Sequence, residues 1–113
     1  MYQLEQWLTQ LSLDRPAKSL KKTLSNGTLV AEIIFKYRPE LLNPGQLYDS
    51  EALDKKQSNW DFINKKLAQI ENYTQPNNYA ALIDSVVRMR ADEGAQYALL
   101  KSLYQCFTGK VLR

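Results

Sequence analysis

The chain has 113 residues, enough for one hydrophobic core and too few for two, so the sequence predicts a single domain over residues 1–113. An apolar fraction of 44% fits a globular protein, and no apolar run is long enough to span a bilayer. The net charge is only +3. The single cysteine excludes an internal disulfide, and the absence of histidine removes the commonest general base.

Hydrophobic periodicity predicts an all-α fold, a compact helical bundle of about four main helices with shorter ones between them. The predicted helices cover residues 2–11, 17–24, 28–38, 51–72, 79–87 and 93–108. The helix over residues 51–72 is predicted to be the longest. No segment alternates apolar and polar residues over the length of a strand, and the chain has no internal repeat.

The first predicted helix places its apolar residues on one face. These residues are Leu4, Trp7, Leu8 and Leu11. Trp7 occurs at the i, i+3, i+4 spacing of a buried stripe, so we interpret it as a core residue rather than as an exposed binding aromatic.

The short helix over residues 17–24 carries only basic charges. Lys18, Lys21 and Lys22 are three and four residues apart, so they share a face on which like charges repel. No acidic residue compensates for them between residues 15 and 31. This pattern favours an acidic partner, and the alternative is a solvated lysine face that only keeps the domain soluble.

The dipeptide Asn26-Gly27 predicts a turn, because glycine reaches backbone angles that are costly for other residues. A strongly apolar helix over residues 28–38 follows, and it needs neighbours to cover it. Glu32 is predicted to lie on the polar stripe of this helix, where it can pair with Lys36 at i, i+4.

Asp49 or Ser50 is predicted to cap the helix over residues 51–72. Gln57 and Asn64 fall on the apolar stripe of this helix, so they need hydrogen-bond partners if they are buried. Carbonyl groups of the first helix or of the 39–48 loop are the expected partners.

The ends of the last helix are predicted from its flanking residues. Asp92 suits the N-cap position, and Gly109 suits the C-cap position. Cys106 lies on an apolar stripe of the same helix, so we interpret it as a core residue rather than a nucleophile.

Four motifs, in order and at matching spacing, resemble a known family. They are Leu4-x-x-Trp7-Leu8, the segment from Asn26 to Ile33 (NGTLVAEI), Tyr37-x-Pro39, and Gln57-Ser58-Asn59-Trp60-x-x-Ile63-Asn64. The NGTLVAEI segment resembles the DGxLLxEIL signature of calponin-homology domains, with Asn26 where aspartate is more usual. Leu13-x-Arg15-Pro16, together with Asn59-Trp60, is similar to the sperm-flagellar, or CLAMP-type, subgroup.

The resemblance implies a calponin-homology bundle in which Asn59 and Trp60 are structural. It also implies a non-catalytic module that attaches to microtubules in a ciliary or flagellar axoneme, with tubulin or axonemal proteins as partners. Arg15 is the candidate contact that matches a family motif, and the other candidates follow from charge. The full candidate set is Arg15, Lys18, Lys21, Lys22, Lys36, Arg38, Lys55 and Lys56.

The alternative function is a protein–protein adaptor in a ciliary or cytoskeletal complex without direct filament binding. In that case an exposed patch of Tyr48, Tyr73 and Tyr79 would matter more than the lysines, because interface aromatics are common beside loops. The competing interpretation is that these tyrosines cover the edges of the core. Actin binding is a lesser variant, since it normally draws on tandem calponin-homology domains.

The remaining classes of function find little support in the sequence. No Gly-rich phosphate loop or metal-ligand spacing occurs, so we expect no enzyme activity, cofactor or metal. The aromatics lie on apolar stripes rather than among the lysines, which argues against nucleic-acid binding. Membrane binding needs a helix with an exposed apolar face opposite a basic one. The helix over residues 17–24 is short, and its Leu20 and Leu24 are expected in the core, so it does not fit that role. We expect a monomeric, cytoplasmic domain without a secretory signal, forming the N-terminal part of a longer protein.

Overall fold

The structure is a computed structural model that describes residues 2–11 and 20–110. Within these ranges the chain forms helices and no strands, which confirms the predicted all-α class. The helices are α1 (Tyr2–Gln10), α2 (Leu20–Ser25), α3 (Thr28–Tyr37), α4 (Leu53–Leu67), α5 (Tyr79–Val87) and α6 (Glu93–Thr108), with a single-turn 3-10 helix (Pro44–Gln46) between α3 and α4. None of these helices has the length and apolar character needed to cross a bilayer.

Helix α3 lies at the centre of the fold. Every residue from Thr28 to Ile34 is buried, so the helix is covered on all sides along most of its length. Helix α2 packs against α3 and α5, while α6 packs against α1 and α5. The prediction that Glu32 lies on an outer polar stripe is wrong, because this covering of α3 leaves the residue only 8% exposed.

An aromatic cluster joins α1, α3 and α6. The indole N–H of Trp7 donates to the hydroxyl of Tyr37 at 2.8 Å, and the Trp7 ring meets Tyr104 edge-on with centroids 5.3 Å apart. Tyr37 in turn stacks on Phe107 with centroids 4.8 Å apart. Trp7 is 5% exposed, which confirms its interpretation as a core residue.

Helix α4 is shorter than predicted at both ends. Its N-cap is Ala52, so the prediction that Asp49 or Ser50 caps the helix is wrong. The Ser50 hydroxyl accepts a hydrogen bond only from the Ala52 amide, which lies ahead of the first helical turn. At the other end, turn bonds to the third residue back, such as Ile70 to Leu67, replace the helical pattern. Ile70 is still buried, so the apolar spacing continues although the helix has ended.

The polar residues on the stripe of α4 differ from the expectation. Gln57 is exposed, while Asn64 is partly buried and accepts a hydrogen bond from the Tyr79 hydroxyl at 2.6 Å. The partner of Asn64 is therefore a side chain of α5 and not one of the expected backbone carbonyls.

Local capping signals fix the ends of α6 as predicted. The Asp92 carboxylate accepts the Ala95 amide at 2.8 Å, and Gly109 adopts the left-handed conformation with φ of 71°.

The α2–α3 turn is held by two consecutive residues of α4. The Trp60 indole N–H donates to the Leu24 carbonyl at 2.9 Å, and the Asn59 amide donates to the Asn26 carbonyl at 2.9 Å. Gly27 adopts φ of 82°, and a Cβ added there would lie 2.5 Å from Cδ1 of Ile63. The turn therefore needs glycine for two reasons, the left-handed backbone and the close approach of α4.

We predict that Gly27→Ala lowers the free energy of unfolding by at least about 2 kcal/mol, since the left-handed backbone and the overpacking against Ile63 each carry a cost. Urea denaturation followed by circular dichroism measures the change. The matched control is Gly94→Ala in the first turn of α6, where the new Cβ meets only the Asp92 carboxylate at 3.4 Å. A Gly27→Ala variant as stable as this control would contradict the tight packing of the turn.

Candidate partner-binding surface

Helix α2 presents its two described lysines to solvent. Lys21 and Lys22 are exposed, whereas Thr23, Leu24 and Ser25 are buried at the other end of the helix. The Ser25 hydroxyl donates to the Val87 carbonyl of α5 at 2.7 Å inside the protein. This bond and the packing on α3 fix the inward face of α2, so the lysines are held on its outward face. Arg15 and Lys18 lie outside the described residues.

Lys36 and Arg38 lie at the opposite end of α3 from the α2–α3 turn. Lys36 is exposed, nine residues after Gly27 and thus about 14 Å along the helix axis. The Arg38 guanidinium pairs with the Glu40 carboxylate at 2.6 Å, and this bond lowers the pKa of Glu40. Part of the Arg38 charge is therefore already neutralised, and Lys36 is separated from the lysines of α2.

The two candidates on α4 have different environments. The Lys55 ammonium lies 4.4 Å from the centroid of the Tyr48 ring, a cation–π contact at the surface. Lys56 is only 7% exposed, so its side chain contributes little to any docking surface. The structure thus divides the charge-based candidates between separate regions and places Lys56 inside.

A hollow of about 270 Å³ lies beside the end of α3. It is lined by Glu32, Phe35, Lys36 and residues 43–45. Phe35 is 38% exposed at its edge. Its lining residues include no cysteine, serine or threonine, and the lysines of α2 are not among them.

The three tyrosines of the adaptor hypothesis are not equally available. Tyr48 is 51% exposed, whereas Tyr73 and Tyr79 are partly buried. The Tyr73 hydroxyl donates to the Tyr79 hydroxyl at 3.3 Å, which in turn donates to Asn64. Burial raises the pKa of both Tyr73 and Tyr79. These two tyrosines support the junction of α4 and α5, and Tyr48 alone of the three is a surface aromatic.

Sequence reasoning missed the arginines that follow α5. Arg88 and Arg90 are exposed in the turn next to the Ser25–Val87 bond, which joins residues 62 positions apart. Their charge and the exposed Met89 between them were visible in the sequence. Their closeness to α2 was not, because it depends on this long-range contact.

Residues 2–11 and 20–110 contain no group of three or more acidic or cysteine side chains placed to hold a metal ion. Cys106 is 6% exposed, which confirms its interpretation as a core residue, and its thiol lies 3.7 Å from the Asn72 side-chain oxygen. Burial raises the pKa of the Cys106 thiol.

Comparison with known families agrees with this helical architecture. The model of the family described as "CH-like domain in sperm protein" matches residues 4–105, almost the whole chain. The chain belongs to this CH-like family. Such domains are typically non-catalytic binding modules. The subgroup indicated by the motifs is thereby confirmed.

Curated relatives of this CH-like domain are flagellar proteins. Human and bovine sperm flagellar protein 1 are each 32% identical over 78 residues, which cover 69% of this chain and 33% of theirs. The Xenopus laevis protein of the same name is 27% identical over 78 residues and is covered to 34%. The matched segment thus spans about a third of the length of each relative.

We predict that Cys106 reacts slowly with a thiol reagent such as Ellman's reagent at pH 8, because burial both shields the thiol and raises its pKa, so fewer thiolates form at a given pH. Absorbance at successive times measures the rate. The control is the same chain in urea, where the thiol should react at the rate of a free cysteine. Equal rates in the folded and unfolded protein would contradict the buried placement of Cys106.

Proposed function

We propose that this CH-like domain is a non-catalytic cytoskeletal module that docks on microtubules through the exposed lysines of α2. The observation that carries the proposal is the placement of Lys21 and Lys22 on the outward face of a helix whose other residues are anchored by buried contacts. Tubulin surfaces are acidic, so a rigid basic face can bind them with little conformational cost.

The two lysines keep their charge available for a partner. Neither forms an ion pair with another residue in the described ranges, where the only such pairs are Arg38–Glu40 and Arg88–Asp84. Two uncompensated positive charges at the surface attract an acidic partner.

The proposed contact includes Arg15 and Lys18, which lie six and three residues before Lys21 in the sequence. Arg15 enters through the family motif, and Lys18 through its spacing from the lysines of α2. Lys36 and Arg38 lie at the far end of α3, Lys55 stacks on Tyr48, and Lys56 is buried, so they are not at the centre of the contact.

The names of the relatives support a proposal for the cellular setting. The matched curated proteins are named sperm flagellar protein 1, which supports a cytoplasmic, axoneme-associated location in a cilium or flagellum. A net charge of +3 supports only modest affinity for a single domain, so tight attachment would require avidity from a second contact or a neighbouring copy.

We predict that the domain sediments with stabilised microtubules at low salt and that Lys21→Glu/Lys22→Glu weakens this binding at least about tenfold, because two attractions become repulsions. Raising the ionic strength toward about 0.3 M should weaken wild-type binding steeply, since exposed charges are screened. Co-sedimentation over a range of tubulin concentrations measures both effects, with actin filaments in parallel.

The matched control is Lys65→Glu/Lys66→Glu, an adjacent lysine pair in the last turn of α4. It changes the net charge equally, and circular dichroism verifies that both variants remain folded. If the control variant lost binding equally, the loss would result from the change in net charge, and this would contradict the proposed surface. Wild-type protein that stays in the supernatant at low salt would contradict direct microtubule binding.

A second candidate function, the adaptor, is favoured by the presentation of Tyr48. The Asn59 side chain accepts the Tyr48 amide at 2.8 Å and donates to its carbonyl at 2.9 Å, so an exposed aromatic is held on a fixed backbone. Exposed, rigid tyrosines are frequent anchors of protein interfaces. A binding assay with purified axonemes distinguishes this function from the first. Adaptor binding should persist when the salt concentration is raised, and the Tyr48→Ala substitution should abolish it.

A further inference from the structure

The turn after α5 has an unusual residue at its strained position. The Arg90 amide donates to the Ser85 carbonyl at 2.8 Å, and the Met89 amide donates to the Val86 carbonyl at 3.1 Å. This pair of bonds is a Schellman motif, in which the residue after the C-cap adopts the left-handed conformation. Here that residue is Met89, with φ of 59°.

Glycine is the usual residue at this position, because a side chain makes the left-handed backbone costly. Met89 accepts this cost while it remains 38% exposed, so full burial does not compensate for it. Gly109 adopts the left-handed conformation at the end of α6, which shows that the fold accommodates glycine at a helix end. Backbone strain retained at an exposed position is a pointer to function.

The charges beside Met89 favour an acidic partner. Arg90 is exposed and forms no ion pair with any residue in the described ranges. Arg88 pairs with Asp84 at 2.9 Å, within the same helix end. The nearby Asp92 carboxylate caps α6 and is thus directed toward the amides of that helix. A positive charge therefore remains at Arg90, next to an exposed apolar side chain.

The fold joins this turn to the lysines of α2. The Ser25–Val87 bond connects the last residue of α2 with the last residue of α5. Lys22 lies three residues before Ser25, about one helical turn of roughly 5 Å. Arg90 lies three residues after Val87 in a tight turn. The C-terminal ends of α2 and α5 therefore lie side by side, with exposed cations on both.

We propose that Met89 and Arg90 form the second half of the microtubule contact, with Met89 against an apolar spot and Arg90 against acidic groups of the tubulin surface. This inference rests on the proposed function and extends it to the α5–α6 turn. It also supplies what the lysines of α2 lack, an apolar component of binding that salt does not screen.

Co-sedimentation of single variants with stabilised microtubules tests the inference. Arg90→Glu should weaken binding about three- to tenfold and reduce its salt dependence, since one contact charge is reversed. Met89→Ala and Met89→Gly should each weaken binding about threefold, through loss of apolar contact area, with the salt dependence unchanged. Lys65→Glu is the control for a single charge reversal, and its affinity should stay near wild type.

Thermal unfolding separates the binding effect from folding. Met89→Gly should unfold at a higher temperature than Met89→Ala, because only the alanine keeps a Cβ on the left-handed backbone. The two variants should nevertheless lose affinity equally, which a purely structural role of Met89 would not produce.

The inference is overturned if Arg90→Glu binds like Lys65→Glu, or if both Met89 variants bind like wild type, while Lys21→Glu/Lys22→Glu loses binding. In that case microtubules contact α2 but not the α5–α6 turn. Wild-type protein that does not sediment with microtubules at low salt would overturn the proposed function, and this inference with it.

Discussion

Two adjacent side chains of α4 hold together the parts of this fold that are distant in sequence. Asn59 makes three hydrogen bonds to backbone groups, one to Asn26 and two to Tyr48, while Trp60 bonds the Leu24 carbonyl. Removing such partners leaves buried polar groups unsatisfied at a cost of about 1–3 kcal/mol each. Because the bonded carbonyls belong to the end of α2 and the turn before α3, the packing of α4 fixes how both helices enter the core.

The proposed surface depends on that arrangement. The described part of helix α2 is six residues long, too short to be stable by itself, so its geometry comes from the core. Leu24 and Ser25 are inserted between α3 and α5, and this leaves Lys21 and Lys22 no direction except outward. The same insertion brings the end of α5 beside α2. A change in the buried turn would thus displace the basic surface without touching a charged residue.

The sequence determined the features that depend on local chemistry. The last two helices were predicted with their observed bounds, and Asp92 caps α6 as its residue type suggests. The end of α4 was missed because Ile70 keeps the apolar spacing although it lies in a turn. The burial of Lys56 was missed because a charged residue type does not reveal which other parts of the chain cover it. The closeness of the two helix ends, through Ser25 and Val87, is a contact that no local pattern encodes.

We conclude that α4 clamps the α2–α3 turn and the backbone at Tyr48 as one rigid unit. Native-state hydrogen exchange by NMR at the Tyr48 amide and the Trp60 indole N–H tests it most directly. Tyr48 is 51% exposed, yet its amide is bonded to Asn59. Both protons should exchange only with global unfolding, at the rate of core amides of α3. Exchange of either proton as fast as in exposed loops would contradict it.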